Sequence, residues 1–344
     1  MTDLKEFNKN QLEEYMTRLG EKPFRGRQIF KWICRGADSF DEMTDISSKL
    51  REKLKENAVI GKLALITKQE SKDGTVKFLF GLKDGNSIET VFMQYRYGNS
   101  ICVSSQAGCR MGCAFCASGK LGLVRDLTAG EITDQILQAE KITGKKINHV
   151  VVMGTGEPFD NYDNVLDFIK RINDKDGLNI GIRNITVSTC GIIPMIERFA
   201  SELPQVNLAI SLHAPTDEKR SHTMPVNRKY PLKELIPACR RYTDITGRRI
   251  TFEYAVVDGF NDSDEDIDLL GELLKGMLCH VNLIPLNEIE YDGSASLPKL
   301  KAGSRKRAEE IADMLEKRGI PATVRRSLGR DIDAACGQLR LNNG

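Results

Sequence analysis

Residues 101–116 read ICVSSQAGCRMGCAFC, a short β-branched run followed by three closely spaced cysteines. Cys109, Cys113 and Cys116 fall within eight positions, and no fourth cysteine follows nearby. Thiolates at such spacing bind zinc or iron–sulfur clusters, and a closed structural zinc site takes four ligands. Three thiolates on a four-iron cluster leave one iron with an open coordination position. The stretch therefore predicts an iron–sulfur site that binds a further ligand.

The same run begins a series in which β-branched segments alternate with amphipathic helices of about a dozen residues. Predicted strands are ICVSS, HVVVMG, NITVST, VNLAISLH, RITFEYAVV, HVNLIPL and ATVRRS. Predicted helices are AGEITDQILQAEKI, DNVLDFIKRI, IPMIERFA, LKELIPACRRYT, DEDIDLLGELLKGM and SRKRAEEIADMLEKRG. Six strand–helix units and one more strand predict a parallel α/β architecture. Because a full eight-unit barrel needs more chain, we expect an open, partial (β/α)6 TIM-like barrel.

The chain before residue 100 shows two other patterns. Helical apolar spacing over residues 7–56 predicts a small helical domain, and the segments KLALITKQES, VKFLFGLKDG and SIETVFMQY predict a short antiparallel β extension. We therefore expect an accessory helical domain over residues 1–58, a β-ribbon linker over 59–98, and the barrel core over 99–344.

Composition is ordinary for a globular protein, with 40% apolar residues, 28% charged residues and a net charge of +2. No signal-peptide pattern and no apolar run of about eighteen residues occurs, so we expect a cytoplasmic protein without a membrane anchor. In the reducing cytosol, clustered cysteines are more often metal ligands or catalytic groups than disulfides. The nine cysteines, an odd number, agree with that interpretation.

Polar residues and glycines collect where the predicted parallel strands end. Since the carboxyl ends of barrel strands carry the active site, these residues should converge on one pocket. Each of them alone is weak evidence, because a glycine turn or a buried histidine is more often structural. The residues are Gly154, Gly156, Glu157, Ser188, Ser211, His213 and Asn287.

Five motifs together resemble the RNA adenine methyltransferases of the RlmN and Cfr type, a branch of the radical S-adenosylmethionine superfamily. They are CVSSQAGCRMGCAFC (102–116), MGTGEP (153–158), LAISLHAP (208–215), HVNLIPLN (280–287) and DIDAACGQL (331–339). The resemblance covers essentially the whole chain. Its GEP and ISLHAP motifs are more similar to the members that methylate adenine C2 than to those that methylate C8.

The resemblance implies cofactors and a reaction. A [4Fe–4S] cluster on Cys109, Cys113 and Cys116 would bind S-adenosylmethionine at its open iron. The activity implied is a dual-specificity methylation of C2 in adenine 2503 of 23S rRNA and in adenine 37 of tRNAs. It would proceed by a radical mechanism through a methyl-cysteine, using two molecules of S-adenosylmethionine.

The resemblance also assigns roles to single residues. Cys336 matches the methyl-accepting cysteine, Cys102 the resolving thiol that forms a transient disulfide, and Glu89 the proton acceptor. Without the resemblance, Cys102 would pass for a strand thiol and Glu89 for a surface charge. The residues that match cofactor contacts are Gly156, Glu157, Ser188, Ser211, Leu212, His213 and Asn287.

The implied partners are unassembled 23S rRNA, tRNA, and an electron donor such as flavodoxin with its reductase; we expect a monomer. RNA backbone contacts are assigned to an N-terminal basic cluster of Lys22, Arg25, Arg27, Lys31 and Arg35. One alternative is a C8 methyltransferase that confers antibiotic resistance. A second is a non-catalytic iron–sulfur or zinc RNA-binding protein.

Four further cysteines need an interpretation. Cys190 departs from the family pattern, which often has a small residue there, although it or Cys279 could in principle supply a fourth ligand. Apolar neighbours favour buried structural thiols for Cys34, Cys239 and Cys279.

Overall fold

A small helical unit forms the N-terminus of the chain. The computed structural model describes residues 1–120, 122–285, 301–326, 328, 329, 331, 332 and 339. The two short strands β1 (Thr2–Asp3) and β2 (Ala58–Val59) pair in parallel and bring the two ends of this unit together. Between them lie α1 (Lys9–Arg18), α2 (Phe24–Cys34) and α3 (Ser48–Asn57), which pack around a hydrophobic core of their own.

Four antiparallel strands follow the helical unit. They are β3 (Ala64–Glu70), β4 (Val76–Gly81), β5 (Ser87–Tyr95) and β6 (Gly98–Val103), each paired with the next. The predicted antiparallel extension is therefore observed. It is not a separate ribbon, because β6 also begins the parallel part of the same ten-stranded sheet.

A short hairpin and the first barrel helix come next. The hairpin strands are β7 (Gln106–Gly108) and β8 (Leu123–Asp126), with the four-residue helix α4 (Ala117–Lys120) between them. Helix α5 (Ala129–Thr143) begins at a capping box, in which the Thr128 hydroxyl accepts from the Glu131 N–H, and ends at Gly144 in the left-handed conformation. Local sequence therefore sets both ends of this helix.

Strands and helices then alternate as far as residue 324, except that two helices follow the third of these strands. The elements are β9 (His149–Val152), α6 (Tyr162–Asn173), β10 (Ile185–Thr189), α7 (Ile193–Glu202), β11 (Asn207–Ser211), α8 (Asp217–Thr223), α9 (Leu232–Thr246), β12 (Ile250–Val256), α10 (Asp264–Leu274), β13 (Cys279–Pro285), α11 (Arg305–Lys317) and β14 (Ala322–Val324).

The large sheet has the strand order β14-β13-β12-β11-β10-β9-β6-β5-β4-β3. From β6 to β14 all neighbours are parallel, in six strand–helix units followed by one more strand. The sheet is open, with β14 and β3 at its two edges in the described part of the chain. The expected partial (β/α)6 barrel is confirmed, and the predicted strands lie where the sequence placed them.

Alternation along the strands separates two faces of the sheet. Residues such as Ile101, Val103, Val187 and Phe252 pack with the helices in one large hydrophobic core. Their sequence neighbours point to the opposite face, because successive strand side chains alternate. The polar residues at the carboxyl ends of the strands lie on that opposite face.

Candidate active site

The three clustered cysteines lie on the loop between β7 and β8. The Cys109 N–H donates to the Gly122 carbonyl at 2.9 Å and closes the loop at its base. Gly108 has a φ of 84°, and a Cβ there would lie 1.9 Å from the Gly122 oxygen, so this position requires glycine. The Ala114 N–H donates to the Thr223 carbonyl at 2.8 Å, which ties the loop to α8.

All three thiols open onto one cavity of about 760 Å³, including its mouth. Six successive parallel strands also contribute to its wall, which requires the sheet to curve around it. The wall residues on or directly after these strands are Gly154, Ser188, Ser211, Glu253, Ile284 and Arg325. The predicted convergence of strand-end residues on one pocket is therefore observed for the residues that the structure describes.

The donor set of this loop, three thiols with no fourth cysteine nearby in the sequence, is that of a four-iron cluster with one open position, whereas a closed structural zinc site takes four ligands. Among the described residues, no group of three His, Cys, Asp or Glu side chains is arranged to hold one metal ion. Zinc–sulfur bonds of about 2.3 Å would draw the thiolates around one point, whereas a four-iron cluster binds each thiolate at a different iron. Burial raises the pKa of the Cys109 thiol to about 11, so assembly of a cluster must release protons.

The GTGEP loop after β9 forms the wall beside the cysteine loop. The Gly154 N–H donates to the Val103 carbonyl at 3.0 Å, and the Glu157 N–H donates to the Gln106 side chain at 2.8 Å. At Gly156, φ is 110° and a Cβ would lie 2.7 Å from the Gln106 nitrogen. A side chain is therefore excluded there, and the backbone is open to the cavity.

Glu157 places a buried carboxylate in the cavity wall. It accepts hydrogen bonds from the N–H groups of Phe159 at 2.9 Å and Cys190 at 2.8 Å. Burial raises its pKa, and these bonds act in the opposite direction. A carboxylate has acceptor capacity beyond these two bonds, so Glu157 can also accept from a cationic amino group.

His213 follows β11 and is fixed by its neighbours. Its Nδ1 accepts from the Ala255 N–H at 3.0 Å, which assigns the proton to Nε2. The ring meets Phe115 of the cysteine loop edge to face, with 4.5 Å between centroids. Burial, together with the charge of Arg220, lowers its pKa to about 3. His213 is therefore a neutral donor, held with a φ of 58°.

Ser188 and Ser211 line the cavity, whereas Leu212 is fully buried beside it. Cys190 also lines the cavity and is 5% exposed. Asn287 and Cys336 lie outside the described residues. Cys34, Cys239 and Cys279 are buried, and burial raises their pKa values to about 12, 12 and 11.

Glu89 and Cys102 are not among the described residues of the cavity wall. Their side chains point to the face of the sheet on which the cavity lies. Cys102 on β6 pairs with Val91 on β5, two residues after Glu89, so the two side chains are diagonal neighbours. Glu89 is not a surface charge: it is 3% exposed and forms an ion pair with buried Lys77 at 3.0 Å.

Sequence reasoning missed two charged residues of the cavity wall. Glu253 on β12 is 6% exposed and accepts from the Asn282 amide at 2.8 Å; burial raises its pKa, against the charge of Arg325. Arg325 follows β14. The signal was present, since an acidic residue within the apolar run ITFEYAV must face away from the helices on which Phe252 and Tyr254 pack.

Two family models match the chain. The model of the ribosomal RNA large subunit methyltransferase N-terminal domain matches residues 2–60, and that of the radical SAM superfamily matches residues 103–270. Among the described residues, no helix is long and apolar enough to cross a membrane.

Curated relatives match over nearly the full length. A probable dual-specificity RNA methyltransferase RlmN of Desulforamulus reducens is 51% identical over 340 residues, covering 98% of this chain and 95% of the relative. The protein of the same description from Alkaliphilus oremlandii is 52% identical over 339 residues, covering 98% and 97%.

A solved structure shares the architecture. The crystal structure of a radical SAM methyltransferase from Sphaerobacter thermophilus is 45% identical in sequence and superimposes with a TM-score of 0.91. The match covers 98% of this chain and 99% of that one, so the helical unit, the antiparallel strands and the barrel are all included.

Proposed function

We propose that this chain, which belongs to the RlmN family of radical S-adenosylmethionine methyltransferases, methylates C2 of adenine in two RNAs. The proposed targets are adenine 2503 of unassembled 23S rRNA and adenine 37 of tRNAs. The observation that carries this proposal is one cavity in which the three clustered thiols meet Glu157, Ser188, Ser211 and His213.

Cys109, Cys113 and Cys116 would hold the [4Fe–4S] cluster, and Gly156, Glu157, Ser188, Ser211, Leu212, His213 and Asn287 would surround S-adenosylmethionine. Bound together, the two groups supply the one-electron chemistry that turns a methyl group into a carbon radical. Glu157 would accept a hydrogen bond from the amino group of the cofactor, and the open backbone at Gly156 would let the cofactor approach closely.

Cys336 is the proposed methyl carrier, as its thiolate is a good nucleophile toward a sulfonium methyl. Contacts just ahead of it hold the chain against the turn between β3 and β4. Asp331 accepts from the Ser71 hydroxyl and from the Lys72 N–H, the latter at 3.1 Å, and the Gly329 N–H donates to Asp73 at 2.8 Å. Cys336 is five positions after Asp331 in the sequence, a reach of at most about 18 Å.

Glu89 and Cys102 complete the proposed reaction. After the methylene radical carried by Cys336 has bonded to C2, Glu89 would take the C2 proton, and the unpaired electron left on the adduct would return to the oxidised cluster. The Cys102 thiolate then attacks the Cys336 sulfur, so that an S–S bond forms, the S–C bond breaks, and the released methylene takes a proton to become the methyl group. The shared sheet face of Glu89 and Cys102 supports this division of roles.

RNA would be bound partly by the helical unit, which we treat as an accessory domain over residues 1–58. The residues 59–98 would be its β extension and 99–344 the catalytic core. Lys22, Arg27, Lys31 and Arg35 are exposed, and Arg27 is already paired with Glu13. Phosphate contacts by such residues fix orientation on RNA, while base recognition occurs in the pocket. A flavodoxin-type electron donor, a cytoplasmic location and a monomeric state belong to the same proposal.

The decisive experiment is mass spectrometry of nucleosides. Protein-free 23S rRNA and tRNA are incubated anaerobically with reconstituted protein, reductant and S-adenosylmethionine labelled at the methyl group, with Cys336→Ala as matched control. We expect labelled 2-methyladenosine from both RNAs, absent with the control. Labelled 8-methyladenosine would establish the C8 alternative instead, and no methylated adenosine from cluster-loaded protein would refute the proposal.

A further inference from the structure

The side chain of Arg220, on the short helix α8, is completely buried behind the cavity wall, with 0% exposed. Its Nη2 donates to the carbonyls of Cys190 at 2.7 Å and Ser211 at 3.1 Å, and its Nε donates to the Leu212 carbonyl at 3.2 Å. Its Nη1 donates to the Asn227 side-chain oxygen at 2.8 Å. The guanidinium thus links the carboxyl ends of β10 and β11 through its hydrogen bonds to the backbone carbonyls there.

These four acceptors are all neutral. In the part of the chain that the structure describes, no carboxylate forms a salt bridge with Arg220, and Asp217 acts on it only as a more distant charge. The buried lysines differ, since Lys5 is paired with Asp134 at 2.6 Å and Lys77 with Glu89 at 3.0 Å. A buried cation without a paired anion is costly, so a negative charge nearby would offset that cost.

The cysteine loop is the place where such a charge would arise. Arg220 donates to the carbonyl of Cys190, and Cys190 lines the same cavity as Cys113. Helix α8 also touches the loop directly, through the hydrogen bond from Ala114 to Thr223 at 2.8 Å. Three thiolates held at this loop would place negative charge in the cavity that is lined by Cys190 and Ser211, whose carbonyls Arg220 binds.

We infer that Arg220 is a positioning residue whose buried positive charge stabilises the reduced form of the iron–sulfur cluster bound by Cys109, Cys113 and Cys116. Reduction adds one electron from a low-potential one-electron donor, with no bond formed and no proton taken up. The cluster then carries one more negative charge, which a nearby cation in a medium of low polarity favours. Loss of Arg220 should therefore lower the midpoint potential.

Two substitutions separate charge from hydrogen bonding. Arg220→Met removes both, whereas Arg220→Lys keeps the charge and loses the forked hydrogen bonds. Arg171→Met is the control for loss of a buried arginine elsewhere. Arg171 is 3% exposed and donates to the backbone carbonyls of Lys5 and Glu6, away from the cavity, and unlike Arg220 it is also paired with a carboxylate, that of Asp167 at 3.4 Å.

The measurement is a redox titration of the full-length reconstituted protein with dithionite and mediators, without RNA, following the electron paramagnetic resonance signal of the reduced cluster. At the wild-type midpoint, we expect Arg220→Met to lower the ratio of reduced to oxidised cluster about tenfold, equal to about 59 mV. Arg220→Lys and Arg171→Met should stay near the wild type. Iron content is measured for each variant.

Equal shifts in Arg220→Met and Arg220→Lys, or no shift in either, would overturn the inference. If Arg220→Met does not retain a cluster, Asn227→Asp decides the question. This substitution places a carboxylate next to the guanidinium and keeps the hydrogen bonds from Arg220 to the backbone carbonyls. It removes the hydrogen bonds that the Asn227 amide donates to Asp217 and Ser221. Its midpoint potential should fall as well, and an unchanged potential would refute the role of the charge.

This inference rests on the cofactor of the family and not on the proposed RNA product. Because no RNA is present in the titration, its result is independent of which adenine carbon is methylated. The nucleoside experiment and the redox titration can therefore fail separately.

Discussion

The Lys77 Nζ lies 3.0 Å from the Glu89 Oε2, and the two side chains are 0% and 4% exposed. The pair joins β4 to β5 on the cavity face of the sheet. Removal of the lysine takes away the cation that is paired with the buried Glu89 carboxylate, so we expect Lys77→Met to lower the free energy of unfolding by about 3–5 kcal/mol, measured by urea denaturation.

An exposed pair provides the control for Lys77. Lys68 and Glu70 are 2.5 Å apart on β3 with side chains 43% and 58% exposed, so Lys68→Met should change the free energy of unfolding by less than about 1 kcal/mol. The double variant Lys77→Met with Glu89→Gln should recover part of the loss. Equal losses from the two lysine substitutions would contradict the burial argument.

Gly108→Ala should disrupt the cysteine loop. The new Cβ would meet the Gly122 oxygen, and φ is 84°. We expect loss of most iron incorporation, measured by iron content after reconstitution. Gly122→Ala is the matched control, since φ is 63° but no atom lies within 4 Å, and it should cost only the backbone strain of about 1–2 kcal/mol. Full iron content in Gly108→Ala would show that the loop accommodates the added Cβ without any loss of iron binding.

His213 should make the cluster-free protein sensitive to acid. Its pKa is about 3 in the fold against 6.5 in the unfolded chain. Below pH 6.5 the unfolded chain takes a proton that the folded chain does not, so stability is complete above pH 6.5 and is lost as the pH falls toward 3. Between pH 6.5 and 5 this amounts to about 2 kcal/mol.

His213→Asn tests that dependence, because asparagine tolerates a positive φ and its side-chain oxygen can replace Nδ1 as acceptor. We expect its free energy of unfolding, measured by urea denaturation, to fall by about 2 kcal/mol less than that of the wild type between pH 6.5 and pH 5. Identical pH slopes for the two proteins would show that His213 titrates normally in the fold.

Cys102→Ala should stop the reaction after the RNA has become attached to the protein. If Cys102 is the resolving thiol, the covalent protein–RNA species accumulates, and it is measured by gel shift under denaturing, reducing conditions. Cys279→Ala, which replaces a buried thiol without a proposed role, should release RNA as the wild type does. Efficient turnover by Cys102→Ala would remove this cysteine from the mechanism.

Lys31→Ala should weaken RNA binding without changing its sequence preference. Lys31 is exposed on α2, and loss of one phosphate contact should reduce the slope of log affinity against log salt concentration by about 1. Lys306→Ala on α11, where the side chain is 88% exposed, is the control of equal charge. The same loss of slope in both variants would indicate a general charge effect.

Much of the barrel could be predicted because its signals are local. The run NITVST became β10 and the run VNLAISLH contains β11, since β-branched runs bounded by polar residues favour strands wherever they are buried. Helix α8 was missed because its sequence, DEKRSHT, has no apolar periodicity. The hairpin strands β7 and β8 were too short to show alternation.

In the candidate site, too, some features could be predicted from the sequence and others could not. The spacing of the three cysteines and the glycines of GTGEP could be recognised from sequence, as both are short-range features. The burial of Lys77 could not, because a lysine in VKFLFG looks like the exposed residue of an alternating strand. Only the packing of both faces of this strand shows that Lys77 needs Glu89.

The sequence alone determined the order of strands and helices, the three-thiol motif and the family resemblance, because these depend on residues close together in the chain. The tertiary structure decided that Glu253 and Arg325 enter the cavity wall, and that Arg220 lies behind it with neutral partners. Burial and charge pairing depend on which distant segments meet, and the free energy of a buried charge is set by those neighbours.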